Sequence, residues 1–425
     1  MTMPHGLESE SRFHTSDIKY REYSTNALSK AVVSKKITQD DADLILEFVQ
    51  EVKANTKKIS AARTFKLTIT LIHLREFFSQ PFRESSIKDV YAARDRIEQA
   101  KTKGGTTFKQ NTTADFVRFM KRFYLWMVEE GKSKIPEKKL RAIKPPAYVY
   151  DTKKAEDLFT KDEIHAMLKA CQTSRDRAII SILYDGALRV GEVGTLRWNQ
   201  VEFTDWDATL KVKFKTEKIR TIPLFMARDY LSQWKNDYPG EPSGDNFVFL
   251  TSGGGRNRTG RNQLQYAGIA KQIKTLAERA KITKKITPHL FRHSKITHLI
   301  QDGGQESIIK MLGWGHTSTG MLDKCYLHLT GRDVTKEMAR LAGVQIEEIP
   351  RSKVLEPRQC PRCGHINPPT LQWCAVCCIE LTEEARQKVK TATEQAELLP
   401  EYKILMQRVE EMQLEIIALK GKGSA

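Results

Sequence analysis

Between Gly131 and Lys154 the helical patterning of the chain dissolves into Lys132, Lys134, Lys138, Lys139, Arg141, Lys144 and the Pro145-Pro146 pair. Proline fixes φ and removes a backbone donor, so this stretch predicts a basic linker rather than a packed element. A linker there splits the chain into two bodies. Its length of 425 residues, too great for one ordinary core, demands the same division.

Apolar residues on the N-terminal side recur at helical spacing, first from Leu44 to Val52, then at Leu67, Leu71, Leu74 and Phe78 before Pro81. A third helix carries Phe116, Phe119, Met120, Phe123 and Met127 along one stripe, with Arg118, Lys121 and Arg122 elsewhere on its surface, and stops at Gly131. Beyond the linker, Thr160-Lys161-Asp162-Glu163 fits a capping box ahead of Ile164, Met167 and Leu168. Leu210, Val212 and Phe214 alternate with Lys211, Lys213 and Lys215, and Ile219 to Leu224 returns, which predicts a hairpin. From Gln263 to Tyr326 the pattern is mainly helical. The expected fold is mainly α with a small β-sheet.

A net charge of +18 and a pI near 9.4 favour a polyanionic partner, the phosphate backbone of nucleic acid above all, although ribosomal and membrane-surface proteins share that composition. No apolar run is long enough to span a bilayer, and the polar start carries no secretory pattern. Five of the seven cysteines crowd between Cys360 and Cys378, which points to a metal site in a reducing compartment. The expected location is cytoplasmic, on the nucleoid.

Arg189, Lys215, His289, Arg292, His316 and Tyr326 follow one another through the second domain. Two guanidinium forks suit the oxygens of a phosphate gaining charge as a fifth oxygen approaches. A tyrosine hydroxyl can attack and stay attached, while lysine and histidine move the two protons of such a displacement. Gly186-Ala187-Leu188-Arg189-Val190-Gly191-Glu192-Val193, His289-Leu290-Phe291-Arg292-His293, Leu312-Gly313-Trp314-Gly315-His316 and Cys325-Tyr326-Leu327-His328 together resemble the boxes of the tyrosine recombinases, the phage integrase family. Each box alone is weak; their joint order and spacing are specific.

That resemblance implies a helical, SAM-like DNA-binding domain followed by an α+β catalytic domain. It implies that Arg189 and Arg292 hold the scissile phosphate and that Tyr326 attacks it, leaving a 3′-phosphotyrosyl link that needs neither ATP nor a catalytic metal. Lys215 would be the general acid, His289 the general base and a phosphate contact, and Glu192 an orienting group. The family usually flanks the hairpin lysine with glycines, whereas Phe214 and Thr216 stand here, so Lys213 and Lys218 remain alternatives. His316 lies one position further from Tyr326 than is usual, and Trp314 is a second candidate for its role.

Cys360-x-x-Cys363 and Cys374-x-x-Cys377 form two knuckles at the spacing of a tetrahedral zinc site, with iron as the alternative metal and Cys378 and His365 as alternative ligands. Leu398, Tyr402, Leu405, Val409, Met412, Ile416 and Leu419 trace a coiled-coil seam, which suits self-association or a helix folded back on its own protein. The expected organisation is a polar tail over 1–35, a helical DNA-binding domain over 36–130, a basic linker over 131–156 and a catalytic domain over 157–335. A tail over 336–356, a zinc-ribbon-like segment over 357–381 and a coiled-coil helix over 395–421 complete it. The expected function is site-specific recombination by a homo-tetramer on DNA, integrating or excising a mobile element. Resolution of replicon dimers and non-catalytic DNA binding by the same fold are the alternatives.

Overall fold

The computed structural model describes residue 13 and residues 15–56, 59–102, 104–150, 154–213, 219–251, 262–315, 320 and 352–397, with short pieces between 400 and 412. Two compact units divide at Thr152 and Lys153. The fold is mainly α, with a three-stranded and a two-stranded antiparallel sheet among the described residues.

The first unit contains α1 (Asp17–Val33), α2 (Gln39–Asn55), α3 (Ala61–Arg75), α4 (Ile87–Gln99), α5 (Gln110–Glu129) and α6 (Glu137–Ala142). Leu44, Ile45, Phe48, Leu71, Leu74, Phe82, Met120 and Phe123 are its wholly buried centre. Asp41 shows how polar groups enter that core without remaining unpaired. Its carboxylate accepts from Thr38 N–H (3.0 Å) in a capping box, from Arg75 Nε (3.0 Å) and from Phe82 N–H (2.8 Å), joining α2, α3 and the turn that follows.

Two expected boundaries are corrected here. The polar tail is helical from Asp17, because Ala27, Leu28, Ala31 and Val32 give it a narrow apolar edge that packs into the first unit's core. The basic linker is largely built onto that unit as well. Ile135, Leu140 and Ile143 are buried in the core, Lys121 Nζ donates to Arg141 O (2.6 Å) and Ile143 O (2.8 Å), and Asn111 exchanges two hydrogen bonds with Val149. Three apolar residues spaced among many lysines sufficed to anchor it.

The second unit begins with α7 (Lys161–Ala170), whose Thr160–Glu163 capping box forms as expected, and continues with α8 (Ser174–Asp185) and α9 (Val190–Gly194). Strands β1 (Val201–Phe203), β2 (Ala208–Lys213) and β3 (Ile219–Leu224) make the sheet in that order, with Leu210 opposite Ile222 and Lys213 opposite Ile219. Then come α10 (Arg228–Asn236), α11 (Tyr266–Arg279), α12 (Pro288–Gln301) and α13 (Glu306–Trp314). A terminal module consists of β4 (Arg358–Gln359), β5 (Ile366–Asn367) and α14 (Glu383–Glu397). Most of the expected coiled-coil seam lies outside the described residues. No described helix is long and apolar enough to cross a membrane.

Tyr184 on α8 and His298 on α12 lie 2.8 Å apart, Oη to Nδ1. Burial pushes the His298 imidazole down to about 4, with the nearby Lys161 charge acting in the same direction. An unfolded histidine protonates near its ordinary value of about 6.5, so the unfolded state takes up the proton first as the pH falls. Stability is therefore expected to drop between about pH 6.5 and pH 4, by at most about 3 kcal/mol from this group. Urea midpoints of the full chain across that range should show a shallower pH slope for His298→Gln; equal slopes would rule the group out.

Candidate active site

The turn between α8 and α9 is the centre of the site. Ala187 adopts φ +45°, a left-handed conformation that costs a non-glycine residue about 1–2 kcal/mol, and its carbonyl accepts from Arg292 Nη1 at 2.7 Å. Pro288 at the start of α12 supports a helix that carries His289 and Arg292 three residues apart. The Arg292 side chain is wholly buried, donates through Nη2 to Gly313 O (2.7 Å), and lies 5.1 Å from the centre of the Trp314 ring. His289 is exposed on the first turn of α12, its ring edge-on to His293 with 4.7 Å between centroids.

Arg189 caps α9. Its backbone N–H donates to Glu192 Oε2 (2.7 Å), and its Nη1 donates to Glu192 Oε1 (3.2 Å), so Glu192 does orient the arginine. Burial, and next the Arg292 charge, push the Arg189 guanidinium down to about 10, with Glu192 opposing them. The group stays protonated near neutrality, but its surroundings are short of negative charge.

Arg220, absent from the expected set, supplies part of that excess. It lies on β3 where exposed and buried positions alternate, and it points inward with Ile222 and Leu224. Its Nη2 donates to Glu192 Oε2 (2.7 Å) and its Nη1 donates to Gly313 O (2.9 Å) and to Leu312 O. Burial lowers its affinity for its proton too. Two guanidinium groups, those of Arg189 and Arg220, pair with the Glu192 carboxylate, and the Arg292 charge lies close enough to act on both of them. Gly315 ends α13 at φ +73°, and a Cβ there would stand 2.8 Å from Arg220 Cγ, so both backbone and space require glycine. Period-two alternation in Ile219 to Leu224 was the sequence signal for Arg220, because it places this charge among inward residues.

Removing Arg220 should be costly, since it takes from Glu192 the more deeply buried of its two arginine partners and from Leu312 O and Gly313 O the donor that β3 supplies. Arg220→Met is expected to destabilise the second unit by about 3–5 kcal/mol, and Arg220→Lys, which lacks the planar fork, to recover only part of that. Chemical denaturation of the three proteins checks it; a change below 1 kcal/mol in Arg220→Met would show the pairs to be dispensable.

The structure thus brings Arg189 and Arg292 together, with Trp314 packed against Arg292. Lys215, His316 and Tyr326 lie outside the described residues, as do the alternative Lys218 and the flanking Phe214 and Thr216. The four cysteines of the terminal module do converge. The sulfurs of Cys360, Cys363, Cys374 and Cys377 all lie within 4.8 Å of one another, with Cys360–Cys377 at 3.4 Å and Cys363–Cys374 at 3.6 Å. Zinc–thiolate bonds of about 2.3 Å in a tetrahedron put sulfurs at about that separation. Cys378 is not in the cluster, and His365 directs its ring to Asp229 instead. Burial favours the neutral Cys374 thiol, but the N–H groups of Cys377 and Val376 and the Asn367 amide outweigh it and hold the thiol down at about 6, the thiolate character a metal needs.

Residues 157–332 match the model of the phage integrase family. Transposase A from transposon Tn554 of Staphylococcus aureus is 29% identical over 194 residues, covering 41% of this chain and 49% of the transposase. Tyrosine recombinase XerC of Xanthomonas axonopodis is 27% identical over 217 residues, covering 50% and 66%, and XerD of Listeria innocua is 28% identical over 245 residues, covering 53% and 75%. The chain thus spans about half the length of the transposase it matches. Among solved structures, XerH site-specific recombinase bound to its palindromic difH substrate superposes with a TM-score of 0.52 at 14% identity, covering 79% of this chain and 98% of that one. The Tn1549 transposon integrase in complex with circular intermediate DNA gives 0.51 at 16% identity, covering 70% and 99%. At such identities the shared property is the fold alone, a helical unit followed by an α+β unit.

Proposed function

We propose that this chain is a site-specific DNA recombinase that cuts and rejoins double-stranded DNA through a 3′-phosphotyrosyl intermediate. The observation that carries the reading is the cluster of guanidinium groups at Arg189, Arg220 and Arg292, the first and last of which come from the same series of boxes that ends in sequence at Tyr326. Arg189 and Arg292 hold the scissile phosphate. The Tyr326 hydroxyl attacks phosphorus and gives up its proton towards His289, while the bond to the 5′ oxygen breaks and Lys215 protonates that oxygen. His316, or Trp314 in its place, contacts the phosphate. Attack by a 5′-hydroxyl of another strand reverses the step, so neither ATP nor a catalytic metal enters it.

In the first unit, Arg63, Lys66, Arg118 and Arg122 line a cleft of about 670 Å³ with Tyr148 and Tyr150, and Arg118 stacks 3.7 Å from the Tyr148 ring centre. Cations presented on aromatic faces suit a sugar-phosphate backbone. Strand exchange between two duplexes calls for four protomers, to which the C-terminal seam could add contacts. A nucleoid location follows from the substrate. The matched transposase and transposon integrase favour a mobile-element enzyme; the matched XerC and XerD keep resolution of replicon dimers as the second reading. Zinc is the ion assigned to the four cysteines.

Covalent capture tests the proposal. The wild-type chain is incubated with nicked genomic fragments and denatured, and the DNA that stays attached is sequenced. Adducts at one motif, mapped by peptide analysis to Tyr326, are the expected result. DNA retardation without any adduct would leave a DNA-binding protein only.

A further inference from the structure

The four-cysteine module is seated on the second unit rather than suspended from it. Thr370 Oγ1 lies 2.6 Å from Tyr230 Oη, and the Thr370 N–H donates to the same oxygen at 3.3 Å. His365 Nε2 donates to Asp229 Oδ2 at 3.0 Å, and Arg228 Nη1 donates to Asp229 Oδ1 at 2.6 Å. Asp229 and Tyr230 belong to the first turn of α10, and Tyr230 is buried. A cavity of about 580 Å³ with Leu168, Pro368, Leu371 and Val376 on its walls lies between the module and α7 and α10.

The seat and the metal site share residues. His365, whose ring reaches α10, accepts the Cys360 N–H through its carbonyl at 2.8 Å and so closes the first knuckle. Asn367, wholly buried, donates to His365 O (3.1 Å) and to Cys374 Sγ (3.6 Å), and accepts the Ala375 N–H (2.9 Å), tying the docking hairpin to the second knuckle. Two strands of two residues each, β4 and β5, hold almost no core of their own. Arg358 Nη1 holds the carbonyls on either side of Thr370, donating to Pro369 O (2.7 Å) and Leu371 O (3.1 Å), but a module with so little core depends on an ion between its knuckles to keep His365 and Thr370 opposite α10.

The surface they meet adjoins the active site. The Ala227 N–H, just before α10, donates to Asp185 Oδ2 at 3.1 Å, and Lys295 Nζ on α12 donates to Asp185 Oδ1 at 3.2 Å. Asp185 ends α8, directly before the turn whose Ala187 carbonyl holds Arg292.

We propose that one thiophilic divalent ion, bound by Cys360, Cys363, Cys374 and Cys377, governs the docking of this module onto α10 through His365–Asp229 and Thr370–Tyr230, making the ion a removable brace for the catalytic unit. The proposal rests on the zinc assignment above and is independent of the recombinase reading.

Hydrogen exchange on the full chain, with zinc content measured alongside, tests it. Wild type should carry one zinc per chain, and stripping it with a chelator under reducing conditions should raise amide exchange at least tenfold in both 358–379 and 228–236. The double variant Asp229→Ala/Tyr230→Phe should keep its zinc and the protection of 358–379 while α10 alone exchanges at least tenfold faster. Opening of the module with α10 unchanged after zinc removal would overturn the brace and leave the zinc assignment standing. So would a double variant whose α10 exchanges as in wild type. A wild-type chain without metal would overturn both.

Discussion

Arg292→Ala is expected to lower DNA strand cleavage by about three to five orders of magnitude, the scale of losing an arginine that stabilises a transferred phosphoryl group. The effect has two sources that must be measured apart. One is the charge itself, which acts in a buried setting where water screens it little. The other is architectural, because the guanidinium is the donor to Ala187 O and Gly313 O, both at 2.7 Å, and removing it should cost about 2–5 kcal/mol of stability. Arg292→Lys retains the charge but not the fork, so it should keep more of the stability and still cleave at least about a hundredfold more slowly. Single-turnover cleavage beside denaturation curves separates the two contributions. A folded Arg292→Ala chain that cleaves within tenfold of wild type would remove Arg292 from the phosphate site.

Tyr326→Phe should abolish the covalent adduct altogether while leaving DNA affinity within about twofold of wild type, since one hydroxyl adds little to an interface dominated by phosphate contacts. Without the hydroxyl there is no oxygen at position 326 to form the phosphotyrosyl bond. Capture and gel retardation on matched DNA distinguish this from unfolding. Any adduct in the variant would move the nucleophile to another residue.

The sequence signals that survived in the structure were local ones. The capping box at Thr160 and the alternation of the hairpin each depend on a few adjacent residues, and both elements formed. The knuckle spacing brings together the two sulfurs of each Cys-x-x-Cys turn, and the β4–β5 hairpin with Asn367 brings the two turns together. What escaped depends on contacts distant in sequence. Arg220 looks like one basic residue in a basic hairpin until Leu312 and Gly313, some ninety positions later, present their carbonyls to it. The helix from Asp17 has so narrow an apolar edge that only a prepared groove makes it worth forming. Residues 131–150 read as solvent-borne because lysines outnumber the three anchors that decide their fate.

Gly315 carries a consequence for the history of the chain. Its missing side chain leaves the room that the Arg220 stem fills, and its left-handed backbone allows α13 to stop where the arginine needs the last carbonyls. Neither position can drift alone: a side chain at 315 collides with Arg220, and a shorter residue at 220 takes from Glu192 one of its two arginines and from the last carbonyls of α13 the donor that β3 supplies. Among diverged copies of this protein, positions 220 and 315 should be inherited as one character, kept together or lost together.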